Sequence, residues 1–184
     1  MLKRLKNLGS PSKSHAKPQP PPKPKPEDDE PAPMSMDDFE LLCVVGKGSF
    51  GKVLQVRHKE SGKIYAVKIL RKKQLIARNQ VEHTKTERRV MQNIRHPFIV
   101  RLHGAFQTED KLYMVMDYVN GGELFFHLKK EGRFSEERVC LYVAELVLAI
   151  EHLHKHGVIY RDLKPENILL HGDGVCHLKL LAHL

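Results

Sequence analysis

Apolar and polar positions along the first half of the chain fall into short β-type runs. FELLCVVG from Phe39, KVLQVRH from Lys52 and KIYAVKIL from Lys63 are the first three, and Glu60-Ser61-Gly62 supplies the turn before the third. A helical spacing follows from about Val81 to Ile94 and stops before His96-Pro97. Two further strand-like runs lie around Arg101–Gln107 and Leu112–Tyr118. An antiparallel sheet with one long helix is therefore expected, an α+β class. The second half is helical. A short stretch covers Glu123 to Lys130. Ser135 then caps a helix with Glu136 and Glu137 in its first turn, running to about His156 and ending at Gly157. Val139, Leu141, Tyr142, Val143, Leu146, Val147, Leu148, Ile150 and Leu153 go nearly all the way round it, which predicts a place in the middle of a larger core. No internal repeat is visible.

Composition changes the picture at the N-terminus. Residues 1 to about 36 contain PQPPPKPKP and the acidic run Glu27, Asp28, Asp29, Glu30, which predicts a disordered tail with polyproline II character. Structure is expected from near Asp38. The opening MLKRLKNL admits a short basic amphipathic turn at a membrane surface, and a solvated terminus is the alternative. The formal net charge of +9 suits acidic or phosphate-rich partners without choosing among them. Cys43, Cys140 and Cys176 lie far apart and form no CxxC pair, which argues against a disulfide framework or a zinc site. With no apolar signal core or membrane-length run, an intracellular, reducing location is expected, cytoplasmic or nuclear.

Candidate chemistry begins at GKGSFGKV, the loop Gly46, Lys47, Gly48, Ser49, Phe50 and Gly51. A dinucleotide-binding turn would lead into a helix, but Val53, Leu54 and Val56 continue as a strand. Strand, glycines and strand make a hairpin whose backbone amides can approach phosphate oxygens; a hairpin without a ligand is the other reading. Lys68 lies in the third strand between Val67 and Ile69, which point to the opposite face. A lysine on an inner face needs a counter-charge, and the long helix offers Glu87. VIYRDLKPEN from Val158 is the sharpest signal. Asp162 can accept a hydroxyl proton, Lys164 can neutralise a transferring phosphate, and Asn167 can ligate magnesium. Lys164 precedes a proline and is pushed to extended backbone, which suits a loop.

In this order the motifs resemble the protein kinase signature set, most closely the AGC group of serine/threonine kinases that includes cyclic-AMP-dependent kinase. Tyr160 stands where most kinases have His, as AGC members commonly do, and LYMVMDYVNGGELFFHL looks like the AGC hinge and the helix after it. The resemblance covers about Asp38 to Lys179. It implies a kinase-like fold with a five-stranded N-lobe and hinge over residues 37–119 and a partial helical C-lobe over 120–184. It further implies that the glycine loop covers the phosphates of ATP and that Val53, Ala66 and Leu169 sandwich the adenine. Met116 would be the gatekeeper, and Asp117 to Val119 the hinge. Lys68 would hold the α- and β-phosphates and pair with Glu87, Asp162 would be the catalytic base, Lys164 the γ-phosphate contact and Asn167 a Mg2+ ligand. Glu123 and Glu166 match acidic residues that favour basic substrates, so Arg or Lys is expected before the phosphoacceptor. His83 matches a residue that contacts an activation-loop phosphate in relatives.

The resemblance breaks after HLKL at His177 to Leu180. The family continues into Thr-Asp-Phe-Gly, whereas this sequence reads LAHL, as if four residues of LKLTDFGLA had dropped out. Without that aspartate, the second magnesium ligand, little phosphotransfer is expected of these 184 residues. Three functions compete: a kinase, a non-catalytic nucleotide-binding scaffold, and, resting on the basic tail alone, a nucleic-acid binder that is not expected.

Overall fold

The structure, a computed structural model, describes residues 34–48 and 50–180. The proline-rich tail before Met34, Ser49 of the glycine loop and the terminal Leu181–Leu184 lie outside the described residues.

A five-stranded antiparallel sheet carries the first half: β1 (Phe39–Gly48), β2 (Gly51–His58), β3 (Ile64–Arg71), β4 (Leu102–Gln107) and β5 (Lys111–Asp117), in the spatial order β1-β2-β3-β5-β4. The pleat sorts side chains onto two faces. Leu54, Val56, Val67, Ile69, Tyr113 and Val115 form one apolar layer with Phe39. Leu70, Met114 and Met116 belong to a second layer, on the face towards the helices, with Leu75, Met91, Val100, Leu102 and Val119. Met34 and Met36 pack against the first layer. Met36 opens a 3-10 turn, Met36–Asp38, held by a reciprocal cap between Ser35 and Asp38, and Met34 lies just before it. Residues 34–36, assigned to the tail from composition, are thus part of the folded unit, because a local cap outweighs their polar setting.

Two helices follow β3. The first, α1 (Lys72–Ala77), is too short for its period to show in sequence and is fixed by Leu75, which is almost fully buried. The second, α2 (Val81–Asn93), matches the predicted long helix and buries Thr84 and Met91.

After the hinge come α3 (Leu124–Glu131) and α4 (Glu136–Lys155). The Ser135 side chain accepts a hydrogen bond from the Arg138 amide at 3.3 Å, and Gly157 takes a φ of 72° just past the helix end. Tyr142, Ala149 and Leu153 of α4 pack on a small ribbon, β6 (Ile168–Leu170) with β7 (Cys176–Leu178). Glu145 is buried on the same face, and its carboxylate accepts the Cys176 amide at 2.8 Å. The opposite face departs from the sequence expectation of all-round burial, for Val139, Leu141, Val143, Val147 and Leu148 are exposed. Among the described residues no helix is long and apolar enough to cross a membrane.

Candidate functional site

Sheet register brings the N-lobe candidates together. Val53 pairs with Lys68 across β2–β3, and Ala66 pairs with Met116 across β3–β5. Residues directly opposite in a ladder share a face, so these four side chains meet. They line a cleft of about 620 Å³ with Gly46, Lys47, Gly48 and Gly51 above, Asp117 and Val119 at the hinge, and Glu123, Lys164, Glu166, Asn167 and Leu169 below. Gly51 is required by close packing: a Cβ there would stand 1.7 Å from the Ile69 carbonyl oxygen. Phe50, assigned to the phosphate loop from its neighbours, turns away from the cleft. It is buried beside Leu70 and Leu75, with the Arg78 guanidinium 5.1 Å from its ring centroid. An aromatic ring gains more from that apolar layer than from a polar cleft.

Lys68 is 7% exposed. Burial pulls its ammonium down to about 8, opposed by the Glu87 carboxylate and assisted by Lys179. Glu87, half-buried on α2, is pushed up to about 6 by burial, against the attraction of Lys68. The expected counter-charge therefore acts on Lys68, although Glu87 lies behind the cleft wall. Glu87 Oε2 is buried and accepts no hydrogen bond among the described residues. His83 sits on the exposed side of α2, its Nδ1 3.1 Å from Gln80 Oε1.

The catalytic-loop candidates are linked to one another. Asn167 is 4% exposed, and its Nδ2 donates to the Asp162 backbone oxygen at 2.9 Å and to Asp162 Oδ2 at 2.5 Å. Lys164 Nζ reaches the same Oδ2 at 2.9 Å, which holds the exposed ammonium above the usual lysine range. Asp162 is thus held behind two cleft-lining groups. Its loop is anchored by Tyr160, whose hydroxyl donates to the Lys179 carbonyl at 2.7 Å.

At the hinge, Asp117 accepts from the Arg101 amide at 3.0 Å and lies 2.6 Å from His103 Nε2. Burial alone would raise its carboxyl, but these two contacts outweigh it and hold the group below the usual range. Several contributors were missed from sequence, His103 and Lys179 among them. His103 had no motif to mark it. Lys179 lines the cleft and pairs with Glu123 at 3.1 Å; its one clue was its place in the strand-like run HLKL.

These residues fit a nucleoside triphosphate. The cleft joins apolar walls for a flat base to a glycine hairpin and to ammonium groups suited to phosphate. With Nδ2 committed to Asp162, Asn167 offers Oδ1 to a hard cation such as Mg2+. Among the described residues no group of three or more His, Cys, Asp or Glu is placed to hold a metal.

Comparison with known proteins agrees with the geometry. The protein kinase domain family matches residues 39–181. The chain is 68% identical over 138 residues to "Protein kinase 2" of Dictyostelium discoideum, covering 75% of this chain and 29% of that protein. It is 64% identical over 137 residues to the RAC family serine/threonine-protein kinase homolog of the same organism, covering 74% and 31%. It is 55% identical over 147 residues to human RAC-beta serine/threonine-protein kinase, covering 80% and 30%. The chain thus spans less than a third of the length of each of these relatives.

Proposed function

The chain belongs to the protein kinase family, and on that footing we propose that it forms the ATP-binding lobe and catalytic loop of an AGC-type serine/threonine kinase. One observation carries this reading: Lys68 of β3 and, remote from it in sequence, Lys164 and Asn167 of one later loop line a single cleft beneath the glycine hairpin, with Asp162 bonded to the latter two.

When bound, ATP supplies the transferable phosphoryl group, with Mg2+ balancing its charge. Lys68 holds the inner phosphates from the sheet side. Lys164 stands on the loop side, where it offsets the charge of the transferring group. Asp162 accepts the proton of a serine or threonine hydroxyl, and Asn167 and Lys164 fix its carboxylate in place. Asn167 Oδ1 is the oxygen that would meet the cation. Glu123 and Glu166, both at the cleft, would favour a substrate with basic residues before the phosphoacceptor.

For the 184 residues tested alone, we propose nucleotide binding with little phosphotransfer. No Asp-Phe-Gly occurs within them, which leaves Asn167 as the assigned metal ligand. Titration with ATP by calorimetry and a radiolabel assay on an Arg-rich peptide test both. ATP binding that is lost in Lys68→Met is expected. A chain that binds no ATP contradicts the proposal, and turnover abolished by Asp162→Asn contradicts the low-activity part of it.

A further inference from the structure

Among the described residues five lysines line the cleft: Lys47, Lys52, Lys68, Lys164 and Lys179. Lys179, just after β7, lines it together with Lys68 and Lys164. Its Nζ lies 3.1 Å from Glu123 Oε1, at the start of α3. The backbone at Lys179 is pinned from both sides: its amide donates to the Asn167 oxygen at 2.9 Å, and its carbonyl accepts from Tyr160. The flexible stem is left as the part that can turn. The pair is partly exposed, at 26% for Lys179 and 48% for Glu123, so water competes for both partners and holds it weakly. The Lys179 charge reaches Lys68, whose ammonium it helps to depress. Like charges converging on one cavity favour an anion between them.

We propose that Lys179 is a further nucleotide-binding residue, whose ammonium leaves Glu123 for the polyphosphate of a nucleoside triphosphate and so releases the Glu123 carboxylate. The proposal rests on the nucleotide reading above. It makes the ion pair a device that distinguishes a triphosphate from a bare nucleoside. It also makes Glu123 available to a basic side chain once the triphosphate is seated.

Calorimetric titration of the chain with adenosine and with ATP tests this, because adenosine carries no phosphate. Lys179→Gln should lower ATP affinity about five- to tenfold and leave adenosine affinity within about twofold. Glu123→Gln should raise the ratio of ATP to adenosine affinity, since Lys179 then has no competing partner, and the gain should vanish in the double variant. Lys179→Arg, which keeps the charge, should retain most of the ATP affinity. An unchanged ratio in Lys179→Gln overturns the proposal and leaves the nucleotide reading intact. Equal loss of adenosine and ATP marks a structural role and also overturns it. A wild-type chain that binds neither compound removes the nucleotide reading itself, and this proposal with it.

Discussion

Lys68 and Glu87 are charged groups whose shifts both run against their mutual attraction, so burial outweighs pairing. The consequence is a dependence of charge on pH. Below about 6, Glu87 takes up a proton and Lys68 loses its counter-charge. Above about 8, Lys68 releases its proton, and binding a polyphosphate must restore it, so affinity falls as pH rises. ATP affinity measured by calorimetry should fall as pH rises through about 8, while adenosine affinity stays level. An ATP profile that stays flat well above pH 8 would show that Lys68 does not contact phosphate. The meeting of Gly46, Lys68 and Asn167 at one cleft was legible in sequence because each stands in a short motif. Phe50 was not, because motif membership says nothing about which way a side chain turns at a hairpin tip. Lys179 was hidden because its partner Glu123 lies 56 positions away.

At the scale of elements, α4 has two unlike faces. Leu153 is fully buried against the ribbon, and Val147 is 57% exposed. Leu153→Ala should cost about 3 kcal/mol through the cavity it leaves. Val147→Ala should cost about 0.5 kcal/mol or less, as expected for a surface position. Urea denaturation of the two variants checks the contrast, and equal losses would mean that the exposed face is covered in solution. The five strands, α2 and the limits of α4 could be read from periodicity and caps. By contrast, α1 and β6 could not, since six-residue and three-residue elements show no period and are set by tertiary packing around Leu75 and Ile168. The difference between the faces of α4 was also invisible, because an apolar helix looks the same in sequence whichever side is covered.

Across the whole molecule, the exposed apolar side chains of α4 lie in a helix whose other side anchors the catalytic loop through the ribbon. Contiguous apolar surface of this kind favours association. The isolated 184-residue chain should bind an apolar fluorescent dye and sediment as larger species at rising concentration. Replacing Val147 and Leu148 by Gln should reduce both effects, and a dye-silent monomer at all concentrations would contradict this. The sheet sets a different constraint, on how the chain tolerates changes in length. In β3, Lys68 faces the cleft while Val67 and Ile69 face the apolar layer behind it. One residue added between Tyr65 and Leu70 would exchange these roles, sinking an ammonium into hydrocarbon and presenting a methyl group to the phosphates. Engineered insertions should therefore survive at the Glu60–Gly62 corner, where the strand has not yet begun, and fail a few positions later.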